Sequence, residues 1–206
     1  DVMPLNAENR ILTHLGIQKI QDGEQTGIQA LLRKAKIQRH QVRASDIAFQ
    51  VAPRINASGR LGSGGNALDL LLTDNTEEAD FLAAQLNAIN EERKAVEREI
   101  SDEAFTQLEK CELAEMRTIV LASKRWHPGV IGIVASKLQH QFQKPVALIA
   151  IDDDNIGRSS ARSNDDFSLI DAFQNCSHLF SKFGGHRNAA GMTIDSENIP
   201  AFQKAL

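Results

Sequence analysis

Apolar residues recur at helical spacing through the first third of the chain. Between Glu8 and Gln21, the positions of Ile11, Leu12, Leu15, Ile17 and Ile20 predict an amphipathic helix, which Asp22-Gly23 stops. Between Gly27 and Ile37, the positions of Ile28, Leu31, Leu32 and Ala35 predict a second helix with basic Arg33, Lys34, Lys36 and Arg39 toward its end. Ser45 caps a short third helix through Val51, and Ala67–Leu72 reads as a fourth. No strand pattern stands out in residues 1–75.

The next 40 positions, 76–115, contain no Pro or Gly. Asn75 is placed as an N-cap with Glu78 three residues on. Leu82, Leu86, Ile89, Arg93, Val96 and Ile100 then follow at spacings of four or three, and Ala104, Leu108 and Cys111 extend the stripe. The pattern predicts one long helix with a buried face and a charged face. At about 1.5 Å per residue it would span on the order of 50 Å, more than a small domain. That length favours a rigid connector between two lobes over an ordinary surface helix.

Residues 116–206 alternate between the two periods. Thr118–Ala122 and Pro145–Ile151 read as buried strands, with a helix over Val130–Phe142 between them. This order predicts a right-handed parallel crossover. An amphipathic helix over Ser168–Phe180, a third strand over Ala190–Ile194 and a last helix over Ile199–Leu206 complete an α/β pattern.

Charge changes the picture once it is divided along the chain. The net charge of −4 argues against a uniformly basic nucleic-acid coat. Yet residues 1–75 carry +2 and residues 116–206 carry +2, and the whole acidic excess, −8, sits in 76–115. A local basic groove is therefore allowed. Aromatic residues are few, nine Phe, one Trp and no Tyr, which disfavours a base-stacking platform and favours phosphate contacts. Cys111 and Cys176 form no Cys-x-x-Cys pair, so a zinc ribbon is excluded and reduced thiols in a cytoplasmic protein are expected. No apolar run suits a membrane span, and no signal-peptide pattern opens the chain, which starts without Met and reads as part of something longer.

Four segments depart from packing logic and are expected to be loops. Ala52–Gly62 sets Arg54 and Arg60 around Asn56 and a small-residue turn, suited to bidentate phosphate contacts. Ser123–Val130 joins a strand to a helix, where free N–H groups attract anions, and gathers Lys124, Arg125, Trp126 and His127. Gly157–Asn164 combines Ser159, Ser160 and Ser163 with Arg158 and Arg162. Phe183–Gly191 holds Gly184, Gly185 and His186, where the backbone can approach a ligand. Each also has a bland alternative: solvated arginines, a Trp filling the core, a flexible polar loop, a plain glycine turn. Convergence of three of them at strand ends in one small domain favours a site. Asp152-Asp153-Asp154 reads as a charged turn rather than a metal site, and no helical zinc pair, Walker loop or Gly-x-Ser-x-Gly elbow occurs.

Together these segments resemble the RecJ-type single-strand-specific 5′→3′ exonucleases of the DHH phosphoesterase family, over nearly the whole chain. The resemblance is carried by Pro53–Arg60, by Trp126–Ala135, by Ser160-Ala161-Arg162-Ser163, and by Gly184-Gly185-His186 with Ala189-Ala190-Gly191. It implies an α/β architecture in three parts: the C-terminal part of a DHH domain over 1–75, a connecting helix over 76–115 and a DHH-associated substrate-binding domain over 116–206.

The resemblance also implies chemistry. Such enzymes use a Mn²⁺ or Mg²⁺ pair on Asp and His residues, and Asp1, before Val2-Met3-Pro4-Leu5, stands where the last metal-binding Asp would be. Two-metal hydrolysis needs ions about 3.5–4 Å apart, which one carboxylate cannot hold. The chain alone is expected to be inactive and to supply substrate binding. Ser160 and Arg162 would grip a 5′ phosphate, and Gly184, Gly185 and His186 a phosphate near the scissile bond. Arg54, Asn56 and Arg60 would follow the strand backbone, and His127 is a further candidate. The implied partner is single-stranded DNA with a 5′ phosphate, and for the complete enzyme a single-strand-binding protein and a helicase. The alternatives are an oligonucleotide or cyclic-dinucleotide phosphodiesterase and a non-catalytic nucleic-acid-binding module.

Overall fold

The computed structural model of the protein describes residues 3–62, 64–113 and 115–206. The chain divides into two compact units, residues 1–94 and 95–206. Asp1 and Val2 lie outside the described residues, as does Ala114 within the expected 76–115 helix.

The first unit is helical. It comprises α1 (Ala7–Asp22), α2 (Thr26–Ala35), α3 (Ala44–Asp46), α4 (Ala52–Leu61), α5 (Gly65–Leu72) and the start of α6 (Thr76–Leu108). A π-helical turn, Ile47–Val51, runs from α3 into α4, so the expected loop at Ala52–Gly62 is helix instead. Pro53 follows this π-helical turn, where the regular i→i−4 ladder is already interrupted. Leu31, Leu32, Leu70, Leu82 and Leu86 form the centre of this unit's core. Gly27 lets α2 meet α5, since a Cβ there would fall 1.9 Å from the Leu70 carbonyl oxygen. The α1 helix buries none of its residues, and Ile11, Leu12 and Leu15 are exposed.

The α6 helix starts as its sequence predicts. Asn75 Oδ1 accepts the amide hydrogens of Glu77 and Glu78 at 2.9 and 3.2 Å. Its buried face differs from the apolar stripe. Between Leu86 and Ile100 the buried positions are Asn90, Arg93 and Glu97, while Ile89 and Val96 are only half-buried. The helical period was legible, but polar side chains occupy part of the buried line.

The second unit is a five-stranded sheet in the order β1-β2-β3-β5-β4. Its elements are β1 (Ile119–Ser123), α7 (Ile131–Phe142), β2 (Val146–Ile151), β3 (Ile156–Arg162), α8 (Leu169–Asn175), β4 (Phe180–Gly185), β5 (Ala189–Asp195) and α9 (Ile199–Ala205). The β1–β2 pair is parallel through α7, as expected, and the other pairings are antiparallel. Two strands were missed. The expected loop at Gly157–Asn164 belongs largely to β3, and the helix expected through Phe180 ends at Asn175, with Phe180 opening β4.

The two sheet faces differ. Ala147, Ile149, Ala161, Met192 and Ile194 point into a core with Phe173 of α8 and Phe202 of α9. Because successive strand residues alternate faces, Ser160 and Arg162 point the other way, toward α7. Cys176 is buried in the core, where desolvation pushes its thiol up, and Cys111 is an exposed free thiol. Among the described residues, no helix is long and apolar enough to cross a membrane.

Candidate functional site

The strongest convergence lies where α7 begins beside β3. The α7 N-terminus has no side-chain cap. Its second residue, Gly132, is in close approach to β3: a Cβ there would meet Ser160 Oγ at 2.8 Å and Arg162 Nη2 at 3.1 Å. Arg162 Nη1 donates to Ser160 Oγ at 3.0 Å and to its neighbour's carbonyl, Ala161 O, at 2.8 Å. A helix start, a hydroxyl and a guanidinium therefore meet at one point. Oriented N–H groups and a fixed arginine fork are the donors that an anion such as phosphate takes. Gly132 lies within the Trp126–Ala135 segment, yet its type and spacing alone did not mark it as a site residue.

The turn before α7 is held from below by Glu103, which sequence reading missed inside an acidic run. Glu103 accepts from Ser123 Oγ at 2.9 Å and from Trp126 Nε1 at 3.0 Å, and it pairs with Arg125 at 3.0 Å. Burial acts to raise the Glu103 pKa, but the hydrogen bonds from Ser123, Arg125 and Trp126 and the Arg125 charge outweigh it and hold the carboxyl below its ordinary value. Trp126 is buried, so its ring fills the core. Lys124 donates to Asn155 Oδ1 at 2.7 Å. Of the cluster expected here, His127 Nδ1 accepts the Gly129 N–H at 3.1 Å, so on a neutral ring Nε2 is the donor.

Gly184 and Gly185 end β4, and His186 starts the turn into β5. Gly185 has φ +144°, and a Cβ on it would lie 2.5 Å from Ala189 O, so glycine is required by the hairpin itself. Gly184 meets nothing within 4 Å and stays open. The turn is docked by Arg187, whose Nη2 donates to Asp165 O at 2.8 Å, and by Ser163 N donating to Asn188 O at 3.1 Å. His186 is exposed at its edge.

In the first unit, helix formation separates Arg54 from Arg60. Six residues at about 100° each leave them about 120° apart around the axis. Arg54 faces inward: its Nε donates to Asn87 Oδ1 at 2.9 Å and its Nη1 to Gln50 O at 2.6 Å. Asn56 and Arg60, four residues apart, share an exposed face. Among the described residues, no group of three or more His, Cys, Asp or Glu side chains is gathered as a metal site would require. Asp1 lies outside the described residues, so those residues do not make a fit for a metal pair.

The comparisons with known proteins agree with this architecture. Residues 115–206 match the DHHA1 domain. Over 207 residues the chain is 35% identical to the single-stranded-DNA-specific exonuclease RecJ of Bacillus subtilis, covering 100% of the chain and 26% of that protein. It is 38% identical to the Escherichia coli protein of the same name, covering 99% of the chain and 37% of that protein. The crystal structure of RecJ in complex with Mg²⁺ from Thermus thermophilus superposes with a TM-score of 0.89 at 34% identity, covering 100% of the chain and 31% of that one. The chain thus spans roughly a quarter to over a third of the length of these relatives. Residues 115–206 are thus a DHHA1 domain on an α/β sheet, and the chain is homologous along its whole length to one segment of the RecJ exonucleases.

Proposed function

We propose that the chain is the substrate-holding segment of a metal-dependent 5′→3′ single-stranded-DNA exonuclease, and that it grips phosphates rather than bases. The observation that carries this reading is the meeting of the α7 N-terminus, Gly132, Ser160 and Arg162 at one point. Arg162, anchored on Ser160 and on the Ala161 carbonyl, holds its guanidinium at a fixed orientation. A terminal 5′ phosphate bound there would receive the Gly132 N–H, a hydroxyl and a guanidinium charge, since the Ile131 and Ile133 N–H groups already donate to His127 O and Val130 O.

The other candidates take separate roles, each within its own unit. Gly184 leaves its backbone open to a strand, and His186, with Gly185 shaping the turn, donates to a phosphate nearer the scissile bond. His127 Nε2 is a donor at the same end of α7. On the first unit, Asn56 and Arg60 follow the strand backbone, and Arg54 supports their helix from beneath through Asn87. The preference for DNA follows the relatives' specificity.

Bond cleavage belongs to the complete enzyme with its Mn²⁺ or Mg²⁺, and the described residues alone are expected to bind without cutting. Salt dependence tests the phosphate reading. Single-strand affinity should fall linearly with log salt, by about 0.7 in slope per phosphate neutralised. A flat response would overturn it, and cleavage by the chain alone would overturn the division of labour.

A further inference from the structure

The sheet face that carries Ser160 and Arg162 is covered by α7 over β2 and β3. Beyond it, on β5 and β4, the same face is open. Gly191 and Thr193 are half-buried, and Gly184 and Lys182 are exposed. The register puts residues in rows across this face. Gly184 pairs with Gly191, so a floor without side chains lies beside Ser160. In the next row, Thr193 pairs with Arg158 on one side and Lys182 on the other. At about 4.8 Å between strands, the Arg158 and Lys182 backbones stand about 10 Å apart, with the Thr193 hydroxyl between them.

Two features show that this row is built. A β-bulge between Phe180 and Lys182 lets Phe180 and Phe183 both join the core while turning Lys182 to the open face. Neither Arg158 nor Lys182 has a hydrogen bond or ion pair with another described residue. Asp152 shares a small pocket of about 110 Å³ with Arg158, but its Oδ1 is engaged by the Asp154 and Ile156 amides at 3.1 and 2.9 Å. Lysine on an edge strand also blunts edge-to-edge pairing. That accounts for Lys182 alone, but not for an unpaired arginine on the inner strand β3 in the same row.

We propose that Arg158 and Lys182, flanking Thr193 on the open half of this sheet face, form a second anion subsite that holds an internal backbone phosphate of a single-stranded nucleic acid. The inference rests on the terminal-phosphate reading of Ser160 and Arg162 and extends it along the strand. Arg158, Ser160 and Arg162 alternate on one face of β3, so successive side chains stand about 6.6 Å apart. A ligand anchored at Arg162 and running over the Gly191–Gly184 floor meets Arg158 and Lys182 next. Repeated charge along such a path fits a phosphodiester backbone better than an acidic peptide, because the first subsite is shaped for a tetrahedral anion at a helix start.

The test compares a 5′-mononucleotide, which has no internal phosphate, with a 5′-phosphorylated octanucleotide by fluorescence anisotropy on the 206-residue chain. The Arg158→Gln/Lys182→Gln double variant should lose roughly ten-fold in affinity for the octanucleotide and keep its mononucleotide affinity. Its salt slope should drop by about 0.7, the share of one internal phosphate. Lys182→Arg should retain binding. Both side chains are exposed, and an unchanged melting temperature would confirm an intact fold. Equal loss for both ligands, or no loss for either, overturns the subsite. Displacement by an acidic peptide but not by the octanucleotide would also overturn it, in favour of a protein partner. Arg162→Ala separates the two ideas. If it weakens both ligands while the double variant weakens neither, the second subsite alone fails. If it weakens neither, the terminal-phosphate reading fails as well.

Discussion

The carboxylate of Glu103 accepts the indole hydrogen of Trp126 at 3.0 Å, tying α6 to the turn that opens α7. The same carboxylate receives Ser123 Oγ and Arg125, so one side chain fixes the end of β1 and the residues just before His127. A buried ring and a charged partner thus orient the helix start at which the proposed anion site lies.

This relationship predicts a pH-dependent stability. The folded-state pKa of Glu103 is below its ordinary value, so its contribution is present above about pH 4.3 and is lost as pH falls through the depressed value. Glu103→Gln should cost about 1–2 kcal/mol at neutral pH, since charged hydrogen bonds become neutral ones. Chemical denaturation of parent and variant should show that gap closing below about pH 4. A gap that persists unchanged in acid would contradict the assignment.

The two glycines of the β4–β5 hairpin should behave differently. Gly185→Ala forces a positive φ on a residue with a Cβ and presses it against Ala189 O, so it should destabilise by about 1–3 kcal/mol or more. Gly184→Ala meets open space and should leave thermal stability within about 0.5 kcal/mol. A thermal melt of both variants checks the contrast. Loss of single-strand binding in Gly184→Ala without loss of stability would mark the open floor as binding surface.

Gly132→Ala isolates the anion site from the fold. The new methyl would crowd Ser160 Oγ and Arg162, while alanine favours helix over glycine by about 1 kcal/mol. Binding of 5′-phosphorylated strands should fall several-fold with little change in melting temperature. Unchanged binding would show that Ser160 and Arg162 do not act through their present arrangement.

Arg54 should prove to be a structural arginine. Its fork spans Asn87 Oδ1 and Gln50 O, geometry that lysine cannot reproduce. Arg54→Lys and Arg54→Ala should both destabilise the first unit, by about 1–2 kcal/mol. If Arg54→Lys instead preserves stability and binding while Arg54→Ala loses only binding, the residue acts as a charge on the substrate strand.

How far the sequence foretold this molecule follows from which residues carried a period. The helices α1, α2, α6 and α7 were legible because leucine and isoleucine recur at three and four. The α4 helix was not, because Pro53, Gly59 and Gly62 look like turn residues, although Pro53 follows a π-helical turn and Gly59 faces solvent. The β3 strand was hidden because Gly157, Arg158, Ser159 and Ser160 lack β-branched and aromatic side chains. The β4 strand was hidden because Phe173 and Phe180, at helical spacing, both enter one core from different elements. The site motifs were legible as residues but not as geometry: what had looked like polar loops are faces of a strand and a helix. Glu103 carried no signal at all, since it stands among many acids and only the fold brings Trp126 to it.

The central claim is that Ser160 and Arg162, at the start of α7, hold a terminal 5′ phosphate. Calorimetric titration of the chain and of Arg162→Ala with one oligonucleotide, bearing either a 5′ phosphate or a 5′ hydroxyl, tests it most directly. The parent should bind the phosphorylated end on the order of ten-fold more tightly, as expected for a charge-assisted contact of about 1.4 kcal/mol, and Arg162→Ala should abolish that preference. Equal affinity of the parent for both ends, or a preference that survives in Arg162→Ala, would contradict the account.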